Sequence, residues 1–172
     1  MRPVLTSLIL ALLALPAWAQ TQQQSDWCSS PHASDDQKVA GCTARIQLGR
    51  EAAATLAADY NNRGAAYTAK RLYDQAIADG THAITFEPDY AQAYNNRGNA
   101  YAGKGLYDRA IADYSQAIAL NPDYARAYFN RGAVYSGKGL RDRAIADYRA
   151  ALAGEPGMTK ANEALIQLGA TP

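Results

Sequence analysis

The chain has 172 residues, with 17 basic and 16 acidic side chains and a formal net charge of +1. This balance leaves no electrostatic footprint for nucleic acid, and a content of 48% hydrophobic and 19% charged residues excludes wholesale disorder. Two cysteines and two histidines exclude a cysteine-rich zinc module and a dense disulfide scaffold.

The first element in chain order is a leader. Arg2 precedes a mostly apolar run from Val4 to Leu15, Pro16 breaks the run, and Ala17-Trp18-Ala19 places small residues at both critical positions of a cleavage site. This pattern predicts a bacterial-type secretory signal peptide over residues 1–19, cut after Ala19, and a mature protein that is periplasmic or secreted. The apolar run is short of the roughly 20 residues that span a bilayer, and no later segment is apolar enough, so no membrane span is expected in the mature chain. Residues 20–36 are polar and contain Cys28. Cys42 falls in the next element, Gln37 to Leu48, where Val39, Cys42 and Ile46 have helical spacing. An oxidising compartment favours a Cys28–Cys42 disulfide, closing a loop of about 15 residues worth about 3 kcal/mol in the chain-entropy model. The spacing is not Cys-x-x-Cys, so the pair reads as structural rather than redox-active. Residues 37–56 form a partial N-terminal helical unit.

From residue 57 a period of 34 organises the chain. Asn62-Arg63-Gly64 recurs as Asn96-Arg97-Gly98 and Asn130-Arg131-Gly132. Pro88, Pro122 and Pro156 keep the same shift, as do Tyr67, Tyr101 and Tyr135, Ala76, Ala110 and Ala144, and Asp79, Asp113 and Asp147. All 12 tyrosines lie between Tyr60 and Tyr148. A fixed period of this length predicts stacked supersecondary units, each unable to bury its apolar face alone. Within the middle unit, Tyr94, Gly98 and Tyr101 lie one helical turn apart, Gly103-Lys104-Gly105 interrupts, and Leu106, Ala110, Tyr114 and Ile118 resume the spacing until Asn121-Pro122 ends it. Each unit is therefore a pair of antiparallel helices.

These columns resemble the tetratricopeptide repeat family. Its aromatic, Gly, Tyr, Ala, aromatic and Pro positions are held by Tyr94, Gly98, Tyr101, Ala110, Tyr114 and Pro122, and by their equivalents in the flanking units. The resemblance implies an all-α solenoid with repeats at 57–90, 91–124 and 125–158, closed by a capping helix in 159–172 with Thr159 as its N-cap and Leu165 and Leu168 facing inward. Two departures stand out. Arg63, Arg97 and Arg131 replace an apolar family residue, and Gly80 replaces an aromatic, so the first unit is expected to be the loosest packed. Arg71 stands where the other units have Gly105 and Gly139, which predicts a different turn geometry or mild strain.

The resemblance also implies a concave groove lined by first-helix residues: Asn61, Asn62 and Ala65; Gln92, Asn95, Asn96 and Asn99; Arg126, Phe129, Asn130 and Ala133. Amides can pair with the backbone of an extended peptide, or they can orient neighbouring helices; both readings stay open. Some family members clamp a terminal carboxylate at such positions, and Asn96, Asn99 and Arg126 match that pattern while its other cations are missing. The Arg column is matched by Asp79, Asp113 and Asp147, which predicts structural Arg–Asp pairs with the Arg stems packed along Tyr. His32 and His82 have no ligand spacing, and no phosphate loop, nucleophile elbow or paired carboxylate is evident. The expectation is a non-enzymatic, exported module without metal or cofactor that binds a protein or peptide in its groove. The alternative is a structural subunit of an envelope assembly that self-associates or docks by its convex face.

Overall fold

The computed structural model describes residues 25–49 and 51–171, so the expected leader lies outside the described residues. Helices follow one another in antiparallel succession: α1 (Asp35–Leu48), α2 (Ala53–Ala69), α3 (Tyr73–Phe86), α4 (Ala91–Gly103), α5 (Tyr107–Leu120), α6 (Ala125–Gly137), α7 (Arg141–Gly154) and α8 (Thr159–Gln167). Each helix packs on the next, and α2, α4 and α6 also touch side by side. The fold is an all-α solenoid of helix pairs.

Local chemistry sets the corners. Glu87, Asn121 and Glu155 end α3, α5 and α7 with φ near −140°, −138° and −139°. Each precedes a proline, whose ring keeps the preceding residue out of the helical region. The turns inside the pairs need a left-handed residue: Gly105 has φ 79° and Gly139 φ 74°. Arg71 adopts φ 61° in the first turn, so the geometry is conserved and the strain falls on Arg71. α1 begins at Asp35, two residues before the expected start. Ser34 accepts from the Gln37 amide while the Gln37 side chain accepts from the Ser34 amide, a capping box written in the sequence as Ser-x-x-Gln. Thr159 is the first residue of α8 rather than its cap; Met158 holds the cap position, with no side-chain hydrogen bond.

The core is built from small residues. Ala83, Ala93, Ala110, Ala117, Ala127, Ala144, Ala151 and Ala161 are fully buried, so neighbouring helices approach closely. A β-carbon added at Gly98 would lie 2.7 Å from the Tyr114 ring, and one at Gly132 would lie 3.0 Å from the Tyr148 ring. The first unit departs from the expected looseness. A β-carbon at Gly64 would meet the Ala76 carbonyl oxygen and Asp79 Cβ, both at 3.3 Å. Without a ring at Gly80 the two backbones close on each other, and the Arg97 stem of the next unit fills the rest, with Arg97 Cβ 2.8 Å from a β-carbon added at Gly80. At the C-terminal end Leu165 is buried with Ala144 and Tyr148, and Phe129, Tyr135 and Leu168 pack around them.

Candidate functional site in the concave groove

The Arg column is engaged in every unit. Arg63, Arg97 and Arg131 each make two hydrogen bonds of 2.7–2.8 Å to Asp79, Asp113 and Asp147 on the second helix. The third donor of each guanidinium reaches back to the preceding unit, at Thr43, Thr81 and Ser115. Each guanidinium also lies over two Tyr rings, Tyr94 at 5.6 Å and Tyr101 at 5.8 Å in the case of Arg97. Hydrogen bonding to the Asp carboxylates raises the pKa of all three arginines, against the opposing effect of burial. These groups join one unit to the next and present no guanidinium to a ligand.

The amide lining divides into two groups. Asn61 and Asn95 are buried, at 2% and 4% exposure, and their amides are engaged across the helices rather than open as the groove reading expects. Asn130 Nδ2 donates to Asn95 Oδ1 at 3.0 Å, Asn95 Nδ2 to Asn96 Oδ1 at 3.3 Å, and Asn96 Nδ2 to Asn61 Oδ1 at 2.9 Å. This chain of amides crosses three first helices. A buried amide left without such partners would carry an unrecovered desolvation penalty, so the ladder specifies how α2, α4 and α6 sit together. Asn99 accepts from the Tyr114 hydroxyl at 2.8 Å. Asn62 lies apart from the ladder, in a space of about 230 Å³ between α2 and residues 28–31.

Gln92, Asn95, Asn96, Asn99, Arg126, Phe129 and Asn130 line a second space of about 360 Å³, which brings together seven of the eleven predicted groove residues. Four further residues complete it: Tyr124, Glu155, Met158 and Lys160. The sequence carries a signal for these. Gln92, Arg126 and Lys160 are spaced by 34, as are Tyr90, Tyr124 and Met158. α8, expected only to cap the array, also extends the columns that line the groove. Burial raises the pKa of Tyr124, with Arg126 opposing, so its hydroxyl remains a donor at neutral pH. The space therefore has two cations and one carboxylate at its rim, amides along its wall, and Phe129 and Met158 as apolar contacts.

Cys28 and Cys42 are buried with their sulfur atoms 2.13 Å apart. His82 is exposed and stacks on Tyr60, with ring centroids 4.9 Å apart. Among the described residues, no cluster of three or more His, Cys, Asp or Glu side chains is placed to hold a metal, and no helix is long and apolar enough to cross a membrane.

A family model described as "TPR repeat" matches residues 98–139, and one described as "Tetratricopeptide repeat" matches residues 62–116. The comparison with curated proteins finds no match. Among solved structures, the Arabidopsis OM64 TPR domain is 25% identical with a TM-score of 0.66, covering 68% of this chain and 97% of that one. The first TPR of Spaghetti (RPAP3), bound to the HSP90 peptide SRMEEVD, is 28% identical with a TM-score of 0.65, covering 67% and 92%. MamA is 30% identical with a TM-score of 0.62, covering 73% and 71%. Repeat columns, helix pairing and these matches agree: the chain belongs to the tetratricopeptide repeat family.

Proposed function

We propose that this chain is a non-enzymatic interaction module that captures a peptide or protein segment in the groove between α4, α6 and α8. The observation that carries this reading is the convergence of Arg126 and Lys160 with amides, Phe129 and Met158 on one space of about 360 Å³. Two cations against one carboxylate favour an acidic partner, and the apolar pair suits a neighbouring aliphatic side chain. The peptide on the similar RPAP3 domain combines such residues. The leader and the paired cysteines support a periplasmic or secreted setting, in which the Cys28–Cys42 bond persists.

Arg126 and Phe129 test the groove better than Asn96 or Asn130, whose amides hold the helices together. With SRMEEVD as an acidic probe, an Arg126→Ala, Lys160→Ala variant should keep its helical circular dichroism and lose at least about tenfold in affinity, the effect of about 1.4 kcal/mol. Unchanged affinity in that variant, or no binding by the wild type at low salt, defeats the groove reading. The second reading, docking by the outer edge, draws on Leu72, Leu106, Leu140 and Tyr107, which are 36–48% exposed along the hairpin turns. Partner capture that survives the groove variant and is lost in Leu106→Ser, Leu140→Ser would favour it. Mass spectrometry of the exported protein, with and without reductant, tests cleavage after Ala19 and the disulfide together.

A further inference from the structure

The junction between α1 and α2 differs in kind from the others. Thr43, Thr81 and Ser115 each accept from the Arg of the following unit, and Asp36, Asp74 and Asp108 each pair with the following Lys70, Lys104 and Lys138. These contacts align α1 with α3 and α5 as the second helix of a unit, offset by four residues, which α2 absorbs as one extra N-terminal turn. On this alignment Arg45 occupies the column of Ala83, Ala117 and Ala151, and Asp59 that of Ala93, Ala127 and Ala161. All six alanines are fully buried. Two fully buried alanine columns at three junctions are thus replaced by a charged pair at the first.

That pair is poorly compensated. Asp59 is 1% exposed, and Arg45 Nε, 3.0 Å from its Oδ2, opposes the cost of that burial with its charge and a hydrogen bond without cancelling it. Its Oδ1 faces Cys28 Sγ at 3.3 Å, a partner that cannot solvate a carboxylate well. Glu51, in the connection to α2, adds a like charge. The paired sulfurs do not secure the junction, because Cys28 and Cys42 both precede α2 and tie residues 28–42 only to one another. We infer that the docking of α1 on α2 is a proton-linked latch, tighter when the Asp59 carboxyl is protonated than when it is ionised. Residues 28–31 border the space beside Asn62 and Ala65, so the latch sets how far the concave layer extends at its N-terminal edge. This inference is independent of what the groove binds.

The direction in pH follows from burial. Desolvation raises the Asp59 pKa from 3.8 to about 6, with Arg45 opposing and Glu51 reinforcing. A carboxyl raised in the folded state contributes stability that is complete below its unfolded value and lost as pH rises through its folded one. Hydrogen exchange on the full chain, corrected for intrinsic rates, should therefore show α1 opening on the order of tenfold more at pH 7.5 than at pH 5, with α4 to α7 as internal reference. Asp59→Asn should hold α1 closed at both pH values. Arg45→Ala, Asp59→Ala, which places alanine in both columns as at the other junctions, should do the same and serves where the single variant does not fold. Equal α1 protection at both pH values in the wild type, or a pH response that survives in either variant with both histidines retained, overturns the latch.

Discussion

Arg71 and the Arg–Asp pairs show how single positions carry the cost of a periodic design. Arg71 holds φ 61° where Gly105 and Gly139 hold 79° and 74°. A left-handed residue with a β-carbon costs about 1–2 kcal/mol, partly offset by the greater freedom glycine has in the unfolded chain. Arg71→Gly should raise stability by about 0.5–1 kcal/mol, read as a higher urea midpoint with an unchanged slope. The Arg97–Asp113 pair behaves oppositely. Its side chains are 17% and 9% exposed, and removing Asp113 leaves a guanidinium packed between rings without its acceptor. Asp113→Ala should cost about 3 kcal/mol by denaturant titration, near the lower end for breaking a buried pair. Leu165, in the same column on α8, is fully buried and fills the position with an apolar side chain instead.

At the scale of the helix pair, glycine and ring must be considered together. Gly98 lets the Tyr114 ring lie directly on the α4 backbone, with no room for a β-carbon 2.7 Å from Cε1. Gly98→Val should cost about 1–3 kcal/mol through overpacking, while Gly137→Ala, with nothing within 4 Å, should be close to neutral. Thermal melts of the two variants check the contrast. Gly98 and Tyr114 are legible in the sequence as repeating columns, because their partners recur at the same spacing in the next unit. The packing of the first unit is not legible in this way, because the consequence of Gly80 depends on Arg97, seventeen residues on, filling the vacated volume.

At the scale of the molecule, apolar burial is spread thinly over many alanines, and cohesion between units comes from the Arg and Asn ladders. The ends are the exceptions. The C-terminal end concentrates its apolar contact in Leu165 against Tyr148 and Ala144. Leu165→Ala should cost about 2–5 kcal/mol and expose the outer face of α7, detected as dye binding together with a lower melting temperature. The N-terminal end rests on α1, with its charged pair. The exposed Lys70, Lys104 and Lys138 pairs add little beside the buried ladder, since solvent-exposed ion pairs are worth about 0–1 kcal/mol each.

The sequence by itself determined the helix pairs, their corners at Pro88, Pro122 and Pro156, and the columns that share a face, because backbone sterics and helical spacing act over a few residues. It also placed Arg and Asp at matching positions in each unit. Only the tertiary structure decided which amides are free. Asn61 and Asn96 meet across 35 residues of chain at 2.9 Å, and no local rule distinguishes a bonded Asn from one offered to a ligand. The same holds for Arg45 and Asp59: their meaning appears only once α1 is superposed on α3 and the alanines they replace become visible.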